Sequence, residues 1–109
     1  MKIIIVENQN MDAERWHTLS LAEQMGNIGS EVQRAFVWQT REEEVQKEKS
    51  VNRFLELIGL TLSDKRWQKR CWEIARLREV LCDYFFAKNS FGNSFENLIN
   101  YFNSFALKI

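Results

Sequence analysis

The side chains best suited to nucleophilic chemistry are two cysteines, Cys71 and Cys82, and one histidine, His17. A thiol or hydroxyl nucleophile normally needs a base beside it. His17 is the only histidine and lies in the N-terminal segment, and the sequence contains no Gly-x-Ser-x-Gly elbow. The cysteines are eleven residues apart in one helical pattern, about 16 Å along the axis, which is too far for a disulfide bond. We therefore expect free, buried thiols, no catalytic residue and no enzyme.

Neighbouring carboxylates are the next candidates. Glu79 and Asp83 are four residues apart and would be adjacent on a helix surface. Carboxylate bundles that bind metals also supply Glu-x-x-His pairs from facing helices, and His17 is not in such a pair. We predict no metal and no cofactor. A more distant hypothesis is a nuclease that combines the two acids with Glu31 and Arg78.

Arg78 is an unusual residue because a helical wheel places it inside an apolar stripe, between Ile74 and Leu81. A buried guanidinium without a partner is very costly, so the side chain must be paired, reach solvent or face another chain. Glu31 and Glu79 are candidate counter-charges. We predict that Glu31 and Arg78 are buried polar residues, with an interface role or an active-site role for Arg78 as alternatives.

A local positive cluster could contact nucleic acid. It consists of four residues, Lys65, Arg66, Lys69 and Arg70. Basic groups among aromatic residues can hold phosphates and stack bases, although Trp67 falls on a core stripe and leaves only Trp72 to stack. Across the chain, 15 basic and 15 acidic residues cancel, so the basic surplus typical of free-standing nucleic-acid binders is missing. Nucleic-acid binding remains an alternative based on this cluster alone.

Tryptophans outside the core stripes are the most informative residues. Trp38, with Val37, extends the apolar surface of one predicted helix beyond a single stripe, and Trp72 does the same on another. Exposed aromatic side chains favour protein interfaces. Arg76 lies on the same side of its helix as Trp72. We predict Trp38, Trp72 and Arg76 as partner-binding residues.

Four helical segments must position these side chains. The absence of proline and the presence of only four glycines favour long helices. Apolar residues at three-and-four spacing predict four helices. The first covers residues 20–42, and the second begins near residue 41 and has a break near Ser50. The third covers 63–86 and the fourth runs from 93 to 106. Because short connections make sequential helices antiparallel, the sequence predicts an all-α, antiparallel four-helix bundle.

The first long helix carries a row of small residues, Ala22, Gly26 and Gly29, beside its apolar stripe. Glycine costs about 1 kcal/mol relative to alanine inside a helix, so two glycines need a reason. The row predicts the close approach of another backbone. The stripe itself is predicted to contain Leu21, Met25, Ile28, Val32, Ala35 and Phe36.

The N-terminus adds a short apolar run, residues 3–6, which is too short for a signal peptide or a membrane span. We expect a cytoplasmic protein without membrane contact. Residues 1–18 are predicted to be an N-terminal extension, and residues 19–109 a helical bundle domain.

From Leu21 to Ala106 the chain resembles a family of small microbial all-helical proteins with no assigned activity. Four stretches carry the resemblance: the Asn-Ile-Gly-Ser-Glu-Val motif at 27–32, then 55–62, 76–85 and 101–106. The resemblance implies that residues before about Leu19 lie outside a common core.

Two other groups are similar in architecture alone. HEPN ribonucleases and their toxin–antitoxin relatives use an Arg, a short polar spacer and a His, but no histidine follows Arg76 or Arg78. The other group is the accessory bundle of reverse transcriptases in diversity-generating retroelements. Fold does not imply function.

The sequence thus predicts a non-enzymatic helical accessory protein that self-associates or docks on a larger protein, in a nucleic-acid-handling system such as that of a reverse transcriptase. A net charge of zero removes long-range repulsion between copies. The alternatives are a small RNA- or DNA-binding protein and a HEPN-like toxin–antitoxin component without the catalytic histidine.

Overall fold

The computed structural model describes residues 13–87, 89 and 92–106, and within these ranges the chain is entirely helical apart from its connections. The all-α prediction is confirmed. The described elements are α1 (Ala13–Trp16), α2 (Leu21–Thr40), α3 (Glu44–Leu62), a 3₁₀ helix (Lys65–Arg70), α4 (Cys71–Phe86) and α5 (Phe95–Ala106). The antiparallel order of four helices stays a prediction.

Helix α2 is the central element, with α3 and α5 packed most extensively against it. It begins with a reciprocal capping box. The Ser20 hydroxyl accepts from the Glu23 backbone N–H at 3.1 Å, and the Glu23 carboxylate accepts from the Ser20 N–H at 2.8 Å. Both interactions satisfy N–H groups that a helix start leaves without partners. The helix ends at Thr40, two residues before the predicted end.

The core lies along the predicted stripe of α2. Met25, Ile28, Val32 and Ala35 have no solvent exposure, so the three-and-four spacing located the buried face correctly. Aromatic rings join the other helices to this core. Phe54 of α3 and Phe85 of α4 have ring centroids 5.7 Å apart, and Phe36 of α2 stacks on Phe95 of α5 at 3.7 Å.

The two glycines of α2 have different surroundings. A Cβ built on Gly29 would lie 3.1 Å from the Cβ and Cγ atoms of Phe102, whereas one built on Gly26 meets nothing within 4 Å. The predicted close approach is therefore wrong for Gly26, whereas at Gly29 another helix does come close, through the Cβ and ring of Phe102. A side chain of α5 approaches, and only Gly29 makes room for it.

Helix α1 belongs to the core although it falls in the predicted extension. Trp16 has no exposed surface, and its indole N–H donates to the Thr61 hydroxyl at 2.9 Å. The division at residue 18 stays a prediction, but the core begins before it, at Trp16. Residues 1–12 lie outside the described part of the chain.

Two predicted helix boundaries are wrong. No break occurs at Ser50, which is buried in the middle of α3 at 3% exposure. The predicted helix over 63–86 is instead two elements, a 3₁₀ helix with a kink at Trp67 and then α4, whose N-cap Arg70 has non-helical backbone angles. Asp64 caps the 3₁₀ helix by accepting from the Arg66 N–H at 3.0 Å.

Candidate interaction surface

The candidate site is the outer face of α4, defined here as Trp72, Arg76, Glu79, Asp83 and Phe86. Successive residues of an α-helix advance about 100° around its axis, so these five positions form one stripe. The stripe lies opposite the buried face of α4, which consists of Ile74, Leu77, Leu81 and Phe85.

Two large aromatic side chains are exposed on this face. Trp72 is 86% exposed, near one end of the helix, and Phe86 is 57% exposed, at the other end. Both fractions are high for aromatic groups, whose burial is worth up to about 3 kcal/mol. Phe86 has a cation beside it, since the Lys47 ammonium lies 5.4 Å from its ring centroid.

The middle of the outer face of α4 is charged. The Arg76 guanidinium lies 3.7 Å from the Glu79 carboxylate, and their side chains are 61% and 65% exposed. A solvated pair at this distance contributes little to folding. Both groups thus remain accessible to another molecule.

A groove of about 330 Å³ between α4 and α5 borders this face. Its floor is apolar, with Leu77, Val80 and Leu98, and Arg76, Asn93 and Asn97 also line it. An apolar floor with a few polar groups is typical of surfaces that receive another chain.

A hydrogen-bonded pair joins the two walls of the groove. The Tyr101 hydroxyl donates to the Glu73 carboxylate at 2.7 Å, and the same carboxylate accepts from Arg70 at 2.7 and 2.9 Å. Burial raises the pKa of Tyr101, and the bond to Glu73 raises it further. Tyr101 therefore stays protonated and holds α5 to α4 beside the groove.

The third predicted partner-binding residue, Trp38, lies on a different element from Trp72 and Arg76. It is half-buried on α2 and lines a depression of about 470 Å³ with Val37, Gln33 and Arg34. The Arg41 guanidinium lies 5.7 Å from its ring centroid. Trp38 therefore offers less free surface than Trp72 does.

The predicted basic cluster is divided between intrachain ion pairs and solvent. Arg66 donates to both carboxylate oxygens of Asp64, at 3.0 and 2.7 Å, and to the Leu19 carbonyl at 2.6 Å. Arg70 is bound to Glu73, as described above. Lys65 and Lys69 are exposed. Arg66 also reaches solvent, with 42% of its side chain exposed, although Asp64 pairs with its charge. The structure thus divides the cluster into two paired arginines and two exposed lysines.

A set of buried polar contacts was not predicted from the sequence. We define the polar joint as Trp16, Gln24, Thr61, Asp64, Arg66 and Trp67. Gln24, without any solvent exposure, is its centre. Its amide nitrogen donates to the Trp16 carbonyl at 2.9 Å and to Asp64 at 3.2 Å, while its amide oxygen accepts from the Trp67 indole at 2.9 Å.

Asp64 is the charged group of the polar joint and is only 3% exposed. The hydrogen bonds from the Arg66 side chain hold the pKa of this carboxyl far below its ordinary value, against the opposing effect of burial. Asp64 is therefore ionised at neutral pH. A nearby contact fixes α1 further, because His17 Nε2 lies 3.0 Å from the Leu60 carbonyl, which can only accept.

The prediction that Glu31 and Arg78 are buried polar residues is half right. Glu31 is 8% exposed, and it pairs with Arg34 at 2.7 Å and with Arg53 of α3 at 3.3 Å. Arg78 is exposed. The helical wheel places position 78 inside the apolar stripe, but the face that α4 buries consists of Ile74, Leu77, Leu81 and Phe85. Arg78 therefore needs no buried counter-charge.

The cysteines are free but half-buried, so the expected full burial is wrong. Burial raises the pKa of the Cys82 thiol, with Arg78 opposing the effect. A raised pKa makes a poorer nucleophile at neutral pH. Across the described ranges, no group of three or more His, Cys, Asp or Glu side chains could hold a metal ion.

Comparison with protein families, with curated proteins and with solved structures finds no match to this chain. The resemblance to small microbial helical proteins therefore stays a prediction. Within the described part of the chain, no helix combines the length and apolar character needed to cross a membrane.

Proposed function

We propose that the protein is a non-enzymatic interaction module whose outer face of α4 binds another protein chain. The observation that carries this proposal is Trp72, which is 86% exposed. Two other tryptophans of the chain have partners within the fold, since the indole of Trp16 donates to Thr61 and that of Trp67 donates to Gln24. Tryptophan is among the residues that contribute most to binding when a partner buries it.

The surroundings of Trp72 support the same role. Arg76 lies one turn away on the same face and also lines the groove between α4 and α5. Arginine beside tryptophan is a combination common at interface centres. A chain that covers this face would bury the indole and could place an acceptor beside the guanidinium.

The architecture and compartment belong to the same proposal. We take α2 to α5 as an antiparallel bundle, which is supported by the 5.4 Å contact between Lys47, near the start of α3, and Phe86, the last residue of α4. Free thiols are usual in reducing compartments, which favours the cytoplasm. The accessory role beside a reverse transcriptase stays a prediction.

The test is purification of a tagged chain from its native cell, with an untagged copy co-expressed and bound proteins identified by mass spectrometry. We expect the wild-type chain to retain a copy of itself or one defined larger protein. Trp72→Ala should reduce that retention at least tenfold, because an interface tryptophan typically contributes about 2 kcal/mol or more.

The control is Asn52→Ala, which truncates an exposed side chain of α3. It should leave retention unchanged. Equal retention by the wild-type chain and by Trp72→Ala, with both proteins folded, would contradict the proposal.

Nucleic-acid binding is the second candidate, favoured by the exposure of Lys65, Lys69 and Trp72. Lysines can neutralise phosphates, and an exposed indole can stack on a base. The double variant Lys65→Gln/Lys69→Gln should weaken binding of a single-stranded oligonucleotide and flatten its salt dependence. Lys49→Gln, an exposed lysine of α3, is the control. Unchanged binding in the double variant would exclude this site.

A further inference from the structure

We infer that the chain which covers the outer face of α4 is a second copy of the same protein, packed antiparallel across a two-fold axis midway between residues 77 and 78. This inference rests on the proposed function, since it names the partner of the same surface. Three features of the face carry it: its spacing, its symmetry and its order of charges.

The spacing is that of a helix–helix seam. Trp72, Arg76, Glu79 and Asp83 follow one another at steps of four, three and four residues. These steps keep side chains on one side of a helix and recur wherever one helix packs along another. The seam starts at the second residue of α4 and Phe86 closes it at the last, so it extends over the whole helix.

The face is also symmetric about its centre. Residues 76 and 79 are equally distant from the midpoint between 77 and 78, and so are residues 72 and 83. In an antiparallel pair of α4 helices, Arg76 of one copy therefore lies opposite Glu79 of the other. Likewise, Trp72 of one copy lies opposite Asp83 of the other. A two-fold axis makes every such contact twice.

The chemistry of both pairings is complementary. The Arg76 guanidinium, 3.7 Å from Glu79 in its own helix, would meet the Glu79 carboxylate of the other copy across the axis. The Trp72 indole N–H can only donate, and the Asp83 carboxylate can accept. Burial of the Trp72 ring would supply the apolar contribution, because removing apolar surface from water favours association.

A parallel pair would be disfavoured by the same residues. Parallel packing places Arg76 opposite Arg76 and Glu79 opposite Glu79, so like charges would meet at the centre. The charges thus select one orientation, as charges flanking coiled-coil seams do.

The ends of the seam agree with the antiparallel arrangement. The position symmetric to Phe86 is residue 69, which is the exposed Lys69 of the 3₁₀ helix. An ammonium group beside an exposed aromatic ring is a favourable contact. Phe86 already has Lys47 near its ring, so it can lie between two cations.

The size of the face sets the strength of the association. Helix α4 has 16 residues and is therefore about 24 Å long, which gives an interface at the small end of the specific range. We expect a dimer with a dissociation constant in the micromolar range, about 10 to 100 µM. The formal net charge of zero imposes no long-range repulsion on it.

The test is charge reversal followed by mixing, measured by sedimentation equilibrium of the full chain from about 10 µM to about 1 mM, a range that brackets this constant. Arg76→Glu brings a new carboxylate opposite Glu79 of the other copy, so like charges meet twice across the axis. Glu79→Arg creates the same conflict between arginines. Each variant alone should dimerise at least tenfold more weakly than the wild-type chain. An equimolar mixture of the two should dimerise again, because every charge then meets its opposite.

The matched control is Lys49→Glu, which makes the same change in charge as Arg76→Glu on an exposed position of α3. It should dimerise as the wild-type chain does. Circular dichroism on each variant confirms that the exposed substitutions leave the helices intact.

Two results would overturn the second-copy inference. One is a wild-type chain that stays monomeric throughout the concentration range, and the other is a mixture that dimerises no better than its components. Neither result contradicts the interaction module itself, which fails only if Trp72→Ala retains the same proteins as the wild-type chain in the purification described above.

Discussion

The polar joint and the outer face of α4 contain the same kinds of side chain, but these side chains are enclosed in the first region and exposed in the second. Each contains tryptophan, one arginine and a carboxylate near it. In the polar joint, Asp64 is 3% exposed and Arg66 binds it at 2.7 Å. On the outer face of α4, Arg76 and Glu79 are both more than half exposed and lie 3.7 Å apart.

The difference shows why residue type alone does not locate a functional surface. Every side-chain donor of the polar joint described above has an acceptor within the chain, so the joint holds α1, α2, α3 and the 3₁₀ helix together. By contrast, Trp72 on the outer face of α4 is 86% exposed to solvent. Substitutions in the first region should therefore change stability, and those in the second should change association.

The largest expected effect is a difference in the free energy of unfolding between substitutions of two tryptophans, Trp16 and Trp72. Trp16→Ala removes a fully buried ring and leaves the Thr61 hydroxyl without its indole donor, so it should lower the free energy of unfolding by about 3–5 kcal/mol. Trp72→Ala should change it by less than about 0.5 kcal/mol, because the ring is exposed. Urea denaturation at a concentration where the chain is monomeric measures both. Equal losses would contradict the division into two regions.

The next effect concerns the two acid–arginine pairs. Asp64→Asn presents amide hydrogens to donors of Arg66 and Gln24, and we expect a loss of about 1–3 kcal/mol. Glu79→Gln should cost under about 0.5 kcal/mol, as solvated pairs do. The same denaturation experiment compares them. A costly Glu79→Gln would mean that the outer face of α4 also supports the fold.

Acid should remove the contribution of Asp64. Hydrogen bonds from Arg66 hold the folded-state pKa of Asp64 below its ordinary value of 3.8, so the unfolded chain takes up the proton first as the pH falls. The carboxylate therefore stabilises the fold fully above about pH 5 and progressively less below about pH 4. The difference in unfolding free energy between the wild-type chain and Asp64→Asn should be constant from about pH 5 to about pH 7 and shrink in stronger acid. A difference that grows in acid would contradict the assignment.

The smallest effects on stability are expected for the two glycines of α2, Gly29, which lies against Phe102, and Gly26, which faces open space. Gly29→Ala pushes a methyl group against Phe102 at 3.1 Å, and overpacking should outweigh the gain in helix propensity by about 1 kcal/mol. Gly26→Ala meets open space and should stabilise the chain by about 0.5–1 kcal/mol. Thermal unfolding of both variants provides the comparison, and shifts of equal sign would contradict it.

Sequence patterns predicted the parts of the fold that depend on one helix at a time. The spacing from Leu21 to Ala35 identified the buried face of α2, and the lack of proline predicted an all-helical chain. The exposure of Trp72 also follows from its place off the core stripe. Its role in binding stays a prediction.

The missed features depend on contacts between elements. The polar types of Gln24 and Thr61 suggest surface residues. They are buried because the indoles of Trp67 and Trp16, from other elements, pack beside them and donate hydrogen bonds to them. The burial of Trp16 could not be predicted from the sequence, because helix α1 has four residues, too few for a periodic signal. Arg78 was assigned to the core because a wheel does not show which positions a neighbouring helix covers.

The most direct test of the central claim is hydrogen exchange of backbone amides in the wild-type chain, measured in dilute and in concentrated solution. We predict that concentration slows exchange in α4 and leaves α1 and the segment around residues 61–67 unchanged. Exchange that does not depend on concentration in α4, or that slows in the polar joint instead, would contradict the claim that the outer face of α4 is where two copies meet.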